Sequence, residues 1–157
     1  MIRLPLLAAL LLSLAPMASA QDMPVLAEYW TNSGSLPPEY AWETEVTILT
    51  DGGLTLKYCT GYETQGPACK TRRAKVAPKA LEAIRAAAAG SGLSDKPARE
   101  AEAPMVGGSM TGGVVWLEGA KVVLLSDPHP DDAARIAPVL AAIEAAIPAR
   151  FHRFLKD

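Results

Sequence analysis

The triplet Asp51-Gly52-Gly53 constrains the fold most, because it separates two segments in which apolar and polar residues alternate. Before the triplet, Trp42, Val46 and Ile48 fall on one side of an extended chain. After it, Leu54–Tyr58 alternates in the same way. Asp and Gly tolerate the positive φ angles of a tight turn, so the segment predicts a β-hairpin.

A helix is predicted to follow this hairpin. Over residues 77–89, Leu81, Ile84 and Ala88 recur at helical spacing, and Pro78 suits the first turn of a helix. The intervening residues, from Thr60 onward, are expected to form a loop.

The second half of the chain repeats the order of hairpin and helix. Residues 114–117 and 121–125 predict the hairpin. The helix is predicted from an apolar face at helical spacing, formed by Ile136, Val139, Leu140, Ile143 and Ile147. Asp131 or Asp132 is its expected N-cap, and Pro138 is expected to kink or restart it.

These elements predict an α+β fold of the order ββα-ββα. In this two-layer sandwich the two hairpins form one antiparallel sheet, and two helices cover one face of it. The globular domain is expected over residues 41–148. Residues 21–40 are expected to be irregular, with an edge strand at Leu26–Thr31 as one option, and residues 149–157 to form a C-terminal tail.

The first twenty residues have the pattern of an export signal. Arg3 supplies a positive charge, Leu6–Leu12 a short apolar run, and Ala18-Ser19-Ala20 the small residues before a cleavage site. The apolar run is shorter than the roughly 20 residues of a spanning helix. The mature chain is therefore expected to begin at Gln21, to be periplasmic or secreted, and not to span a membrane.

Charge and composition exclude some classes of function. The net charge of the full chain is −2, and loss of Arg3 makes it −3. This balance gives no reason to expect binding to nucleic acid. No acid–base pair, catalytic triad, metal-ligand set or cofactor motif emerges, so no catalytic residue, metal or cofactor is assigned.

Cys59 and Cys69 are the only cysteines. In an exported chain, such an even pair predicts one structural disulfide. Redox pairs usually have Cys-x-x-Cys spacing, and a metal site would need more Cys or His nearby.

Four segments are candidate binding or catalytic sites. The loop containing Gly107, Gly108 and Ser109 lacks the second Gly of a serine nucleophile elbow, and its bare backbone could instead approach a ligand. Arg72 and Arg73 belong to a cluster of basic residues that could bind an anionic surface. This cluster consists of Lys70, Arg72, Arg73, Lys75 and Lys79.

Tyr29 and Trp30 either pack over a sheet edge or present a binding surface. His129 lies among Asp127, Asp131 and Asp132, a group that could serve hydrolysis or metal binding. Prolines on both sides of His129 favour a turn that precedes a helix.

The segment Ala41–Gly52 resembles the opening of certain exported bacterial domains that have no assigned activity. Those domains similarly have an aromatic-led strand, an Asp-Gly turn, a second strand and a helix. The resemblance implies the fold and export, and it transfers no catalytic residue.

Three functions are consistent with these observations. The first is a non-enzymatic exported domain that binds another macromolecule, as an inhibitor or an envelope accessory protein. The second is a metal-dependent or hydrolytic enzyme centred on His129. The third is a structural envelope protein that associates with itself through the second hairpin, which is apolar on both faces.

Overall fold

The computed structural model describes residues 24–61, 68–103, 107–118 and 120–155, so the expected export signal lies outside the described residues. The described chain is an α+β fold. Its elements follow in the order β1 (Val25–Asn32), β2 (Trp42–Leu49), β3 (Gly53–Thr60), β4 (Ala68–Lys75), α1 (Pro78–Gly90), β5 (Met110–Leu117), β6 (Ala120–Leu124), α2 (Pro130–Ala146) and a 3₁₀ helix (Ala149–Phe154).

Six strands form one antiparallel sheet in the order β4-β3-β2-β1-β5-β6. The hairpin between β2 and β3 is confirmed. Gly52 has a φ of +84°, and its N–H donates to the carbonyl of Leu49 at 2.9 Å. The hairpin between β5 and β6 is also confirmed.

Strand β1 occupies the interior of the sheet, so the edge position considered for Leu26–Thr31 was wrong. It pairs with β2 on one side and β5 on the other, and thereby joins the two hairpins. Ala27, Tyr29 and Thr31 are buried. An interior position satisfies the backbone on both edges of the strand, and alternation places these three side chains on the same, buried face of the sheet.

Residues expected to form a loop after Thr60 instead contain β4. The element order is therefore ββββα-ββα, and the expected order ββα-ββα was wrong. Every side chain of β4 is exposed except that of Ala74, which is half-buried. A strand exposed on both faces has no apolar alternation, so the sequence pattern could not reveal it.

The core lies between the sheet and the two helices, which also pack against each other. As expected, Leu81, Ile84 and Ala88 of α1 are buried. On α2 the buried apolar positions include Ile136, Val139 and Ile143. No helix among the described residues is both long enough and apolar enough to cross a membrane.

Helix α2 begins at Pro130 and runs without interruption through the exposed Pro138. Its N-cap is His129, not Asp131 or Asp132: Nδ1 of His129 accepts from the N–H of Asp131 at 3.3 Å. The two aspartates lie in the first turn, where negative charge is favourable at the helix N-terminus.

Candidate functional site

Strand β4 is an edge of the sheet, and its backbone geometry follows from the cysteine pair. Cys59 and Cys69 lie directly opposite each other and form the expected disulfide, with their Cα atoms 4.1 Å apart. Such a short separation is typical of a pair that exchanges no backbone hydrogen bonds. The N–H and C=O of Cys69 therefore point away from β3, and alternation gives Thr71 and Arg73 the same direction.

The side chains along β4 are basic. Lys70, Arg72, Arg73 and Lys75 are all exposed. Nζ of Lys75 lies 2.9 Å from a carboxylate oxygen of Asp51. Among the residues that the structure describes, no carboxylate comes within 4.0 Å of the other three. The described residues therefore leave most of the charge on this strand without an ion-pair partner.

The 3₁₀ helix brings further cations to the same edge. The guanidinium carbons of Arg72 and Arg153 lie 6.0 and 4.9 Å from the centroid of the Phe154 ring. The ring of Phe154 also packs against that of Tyr58, 5.3 Å away between centroids. The guanidinium carbon of Arg150 lies 5.0 Å from the centroid of the Phe151 ring. Arg72 of β4 and Arg153 of the 3₁₀ helix therefore share the Phe154 ring, and Arg150 lies over the neighbouring Phe151 ring.

Two contacts hold the 3₁₀ helix in place. The Thr44 hydroxyl donates to the backbone carbonyl of Phe154, and Phe151 is buried in the core. Six residues together form what we call the basic edge: Lys70, Arg72, Arg73, Lys75, Arg150 and Arg153. Neither β4 nor the 3₁₀ helix contains an acidic residue.

The contribution of the 3₁₀ helix was not predicted from the sequence. The alternation of basic and aromatic residues in Arg150-Phe151-His152-Arg153-Phe154 is a signal that could have indicated it. Residues 149–157 were instead expected to form a separate tail.

Arg72 illustrates the chemistry available at the basic edge. Its Nη1 donates to the carbonyl of Thr71 at 3.1 Å. This carbonyl belongs to the set that points away from β3. A ligand carboxylate could replace this carbonyl as the acceptor of the guanidinium N–H, because a hydrogen bond between two charged groups is stronger than one to a neutral carbonyl.

The aromatic pair Tyr29 and Trp30 does not form one surface. Tyr29 is buried in the core, whereas Trp30 is half-buried on the opposite face of the sheet. A Cβ placed on Gly112 would lie 2.6 Å from the Trp30 indole, so only glycine leaves space for this ring. Trp30 therefore has a packing role across β1 and β5.

The loop containing Gly107, Gly108 and Ser109 leads into β5, and both glycines have positive φ angles. Three strands separate β5 from β4 in the sheet order, so this loop and the basic edge are different sites. Ser109 instead joins Tyr29 in a cavity beside α2.

The residues around His129 form a network of ion pairs and hydrogen bonds. Asp132 is 3% exposed and accepts from Nε of Arg99 and Nη1 of Arg135, both at 2.9 Å. Arg99 also contacts His129 and Asp131. In the described parts of the chain, no three His, Cys, Asp or Glu side chains are grouped to hold a metal ion.

Comparison with models of protein families and with curated proteins finds no match to this chain. A function must therefore be inferred from the surfaces of the described residues. Among the regions proposed from the sequence, the basic residues of β4 combine exposed cations, outward-facing backbone groups and a neighbouring aromatic ring.

Proposed function

We propose that this chain is an exported, non-enzymatic domain that binds an acidic, extended segment of a partner protein along β4. The segment would pair with the outward-facing backbone of β4 and place its carboxylates beside the basic edge. The observation that carries the proposal is the outward backbone of Cys69, Thr71 and Arg73. It lies among Lys70, Arg72 and Arg73, which form no ion pair with a described residue. Binding of this kind would suit an inhibitor or an envelope accessory protein.

The backbone supplies affinity in this mode of recognition. An extended peptide that adds a strand to an exposed sheet edge gains a ladder of main-chain hydrogen bonds. The eight residues of β4 provide a full-length template. The disulfide to Cys59 fixes the strand to its neighbour, so less order has to be gained on binding.

The charges supply selectivity. Lysine and arginine on an edge strand oppose pairing with neutral or basic strands, which protects the free protein from aggregation. The carboxylates of an acidic strand would instead attract these lysines and arginines. Arg72 and Arg153 lie over Phe154, an arrangement that leaves the rim of each guanidinium able to donate to a carboxylate.

Export is part of the same proposal. A disulfide is typical of proteins that fold in an oxidising compartment. Together with the pattern of residues 1–20, it supports a periplasmic or secreted protein.

The test uses synthetic peptides of the length of β4, with valine at alternate positions and aspartate at the others. We expect the aspartate peptide to bind, and binding to weaken as salt rises. A matched peptide with lysine in place of aspartate should not bind. Replacing both Arg72 and Arg153 by alanine should weaken binding at least about tenfold, which is about 1.4 kcal/mol.

A pair of variants at Thr71 separates strand pairing from simple charge attraction. Thr71→Pro removes an N–H that points away from β3, so it should abolish peptide binding while β4 stays paired. Thr71→Val removes the hydroxyl and keeps the N–H, so it should bind as the wild type does. Equal binding by both variants and the wild type would contradict strand addition.

A further inference from the structure

The sheet has a second face, which points away from both helices and which we call the open face. Toward β4 the open face is polar, and its side chains include Glu45, Thr55 and Lys57. Over β1, β5 and β6 it is mainly apolar. Five side chains there form what we call the open-face patch: Trp30, Met110, Val114, Trp116 and Val123. None of these five described residues belongs to the core or packs against it.

The members of the patch are neighbours, because the strands that carry them are paired in register. Val114 of β5 lies directly opposite Val123 of β6, and Gly112 of β5 lies opposite Trp30 of β1. A Cβ on Gly112 would lie 2.6 Å from the Trp30 indole, so this ring extends over β5 at the position of the glycine. The patch therefore continues from β1 across β5 to β6.

The open-face patch is accessible to solvent. Val123 is 42% exposed and is one of three large apolar side chains that are exposed among the described residues. The other four members of the patch are half-buried. An antiparallel sheet whose outer face only meets water usually carries polar side chains there. A group of adjacent apolar side chains on such a face is typical of an interaction surface.

Two charged side chains flank the patch on opposite sides. Glu28 of β1 lies opposite Val114, and Lys121 of β6 lies opposite Trp116. Both charged residues are exposed, and neither forms an ion pair with a described residue. Two strand spacings, about 10 Å in all, separate β1 from β6. Each chain thus carries one charge of each sign, on either side of an apolar centre.

We infer that two copies of this chain associate through the open-face patch, with the open face of one against that of the other. In a two-fold dimer the same surface is used by both copies, and every contact occurs twice. A two-fold axis through the patch at β5 exchanges its two sides. Glu28 of one copy then lies over the β6 side of the other copy, where Lys121 is located. The apolar side chains would pack in the centre, as in a sandwich of two sheets.

The arrangement of charge favours a second copy as the occupant of this face. A surface with Glu28 on one side and Lys121 on the other is complementary to itself after a two-fold rotation. The interface is separate from the basic edge, because no member of the patch belongs to β4 or to the 3₁₀ helix. A dimer of this kind would present two basic edges, one on each copy.

Sedimentation equilibrium of the oxidised protein over a range of concentrations tests the inference. We expect the wild type to form a dimer. Val123→Arg places a charge at an exposed position of the patch, so it should weaken dimerisation at least about tenfold and keep the fold. The matched control is Thr55→Arg, which adds the same side chain to the polar part of the open face. This control should form a dimer as the wild type does.

A charge exchange tests the pairing of Glu28 with Lys121 across the axis. Glu28→Lys and Lys121→Glu, made singly, each create two contacts between like charges and should weaken dimerisation at least about tenfold. The double variant restores opposite charges at both contacts. It should therefore form a dimer about as readily as the wild type, which a partner other than a second copy would not explain.

Three results would overturn the inference. The first is a wild-type protein that stays monomeric at every concentration. The second is a dimer that Val123→Arg or the single charge reversals leave unchanged, because its contact would then lie elsewhere, for example along the backbone edge of β6. The third is a double variant that dimerises no better than the single variants. None of these results would affect the proposal for β4, which depends on other residues.

Discussion

Asp132 joins three parts of the chain through one buried carboxylate. It accepts from the backbone N–H and the guanidinium of Arg99, in the segment after α1, and from Arg135 one turn further along α2. Arg135 in turn donates to the carbonyls of Ser91, Gly92 and Lys96. These contacts give Asp132 a structural role, because its acceptor capacity is directed at groups of the protein itself.

This network predicts how stability changes in acid. The backbone N–H of Arg99, then the guanidinium groups of Arg99 and Arg135, hold the pKa of Asp132 below its usual value of 3.8. A lowered pKa in the folded state stabilises the protein above the unfolded-state pKa, and this contribution is lost as pH falls through the folded value. We therefore expect Asp132→Asn to lower the urea midpoint at neutral pH and to flatten its fall below about pH 4.

Urea denaturation at several pH values measures this effect. The matched control is Asp95→Asn, because Asp95 is exposed and forms no ion pair with a described residue. It should follow the wild-type profile. The account of Asp132 would be wrong if the two variants had the same profile.

At the scale of residues, the sequence predicted the apolar positions of the core better than the polar contacts. Leu81, Ile84 and Ile143 are buried as their helical spacing indicated. The pair of Arg99 and Asp132 joins positions 33 residues apart, and no local pattern marks such a contact. Asp132 lies close to His129 in the sequence, which suggested a catalytic or metal-binding role. In the structure its carboxylate instead accepts hydrogen bonds from Arg99 and Arg135.

At the scale of elements, β4 depends on its neighbour for order. It has almost no buried apolar side chain, so pairing with β3 and the disulfide are its main constraints. The same lack of alternation hid it in the sequence, whereas β2 and β3 were evident from their pattern. Arg153 of the 3₁₀ helix meets Arg72 of β4 only through the tertiary packing of Phe154, which a local pattern does not specify.

The disulfide should therefore matter more to β4 than to the rest of the sheet. Replacing Cys59 and Cys69 together by serine should lower the free energy of unfolding by about 2–3 kcal/mol on the chain-entropy model. Hydrogen exchange should rise most in β4, and the affinity for the acidic peptide should fall. Urea denaturation and exchange of the oxidised, reduced and double-serine proteins measure these changes. Unchanged exchange in β4 would show that pairing alone orders it.

At the scale of the whole molecule, charge is distributed unevenly. The chain has a net charge of −2, yet β4 and the 3₁₀ helix together contain six lysines and arginines and no acidic residue. This edge lies at one end of the sheet, and β6 forms the other end.

The hairpins and helices were predictable from local patterns. The order of the strands was not, because it depends on the long-range pairing of β1 with β2 and β5.

Strand addition at β4 is tested most directly by amide hydrogen exchange with and without the acidic peptide. We predict that saturating peptide slows exchange of the N–H groups of Cys69, Thr71 and Arg73, which point away from β3. Exchange along β6 should not change. If the β4 amides exchange at the same rate with and without bound peptide, or if β6 is protected equally, an acidic partner strand does not pair with this edge.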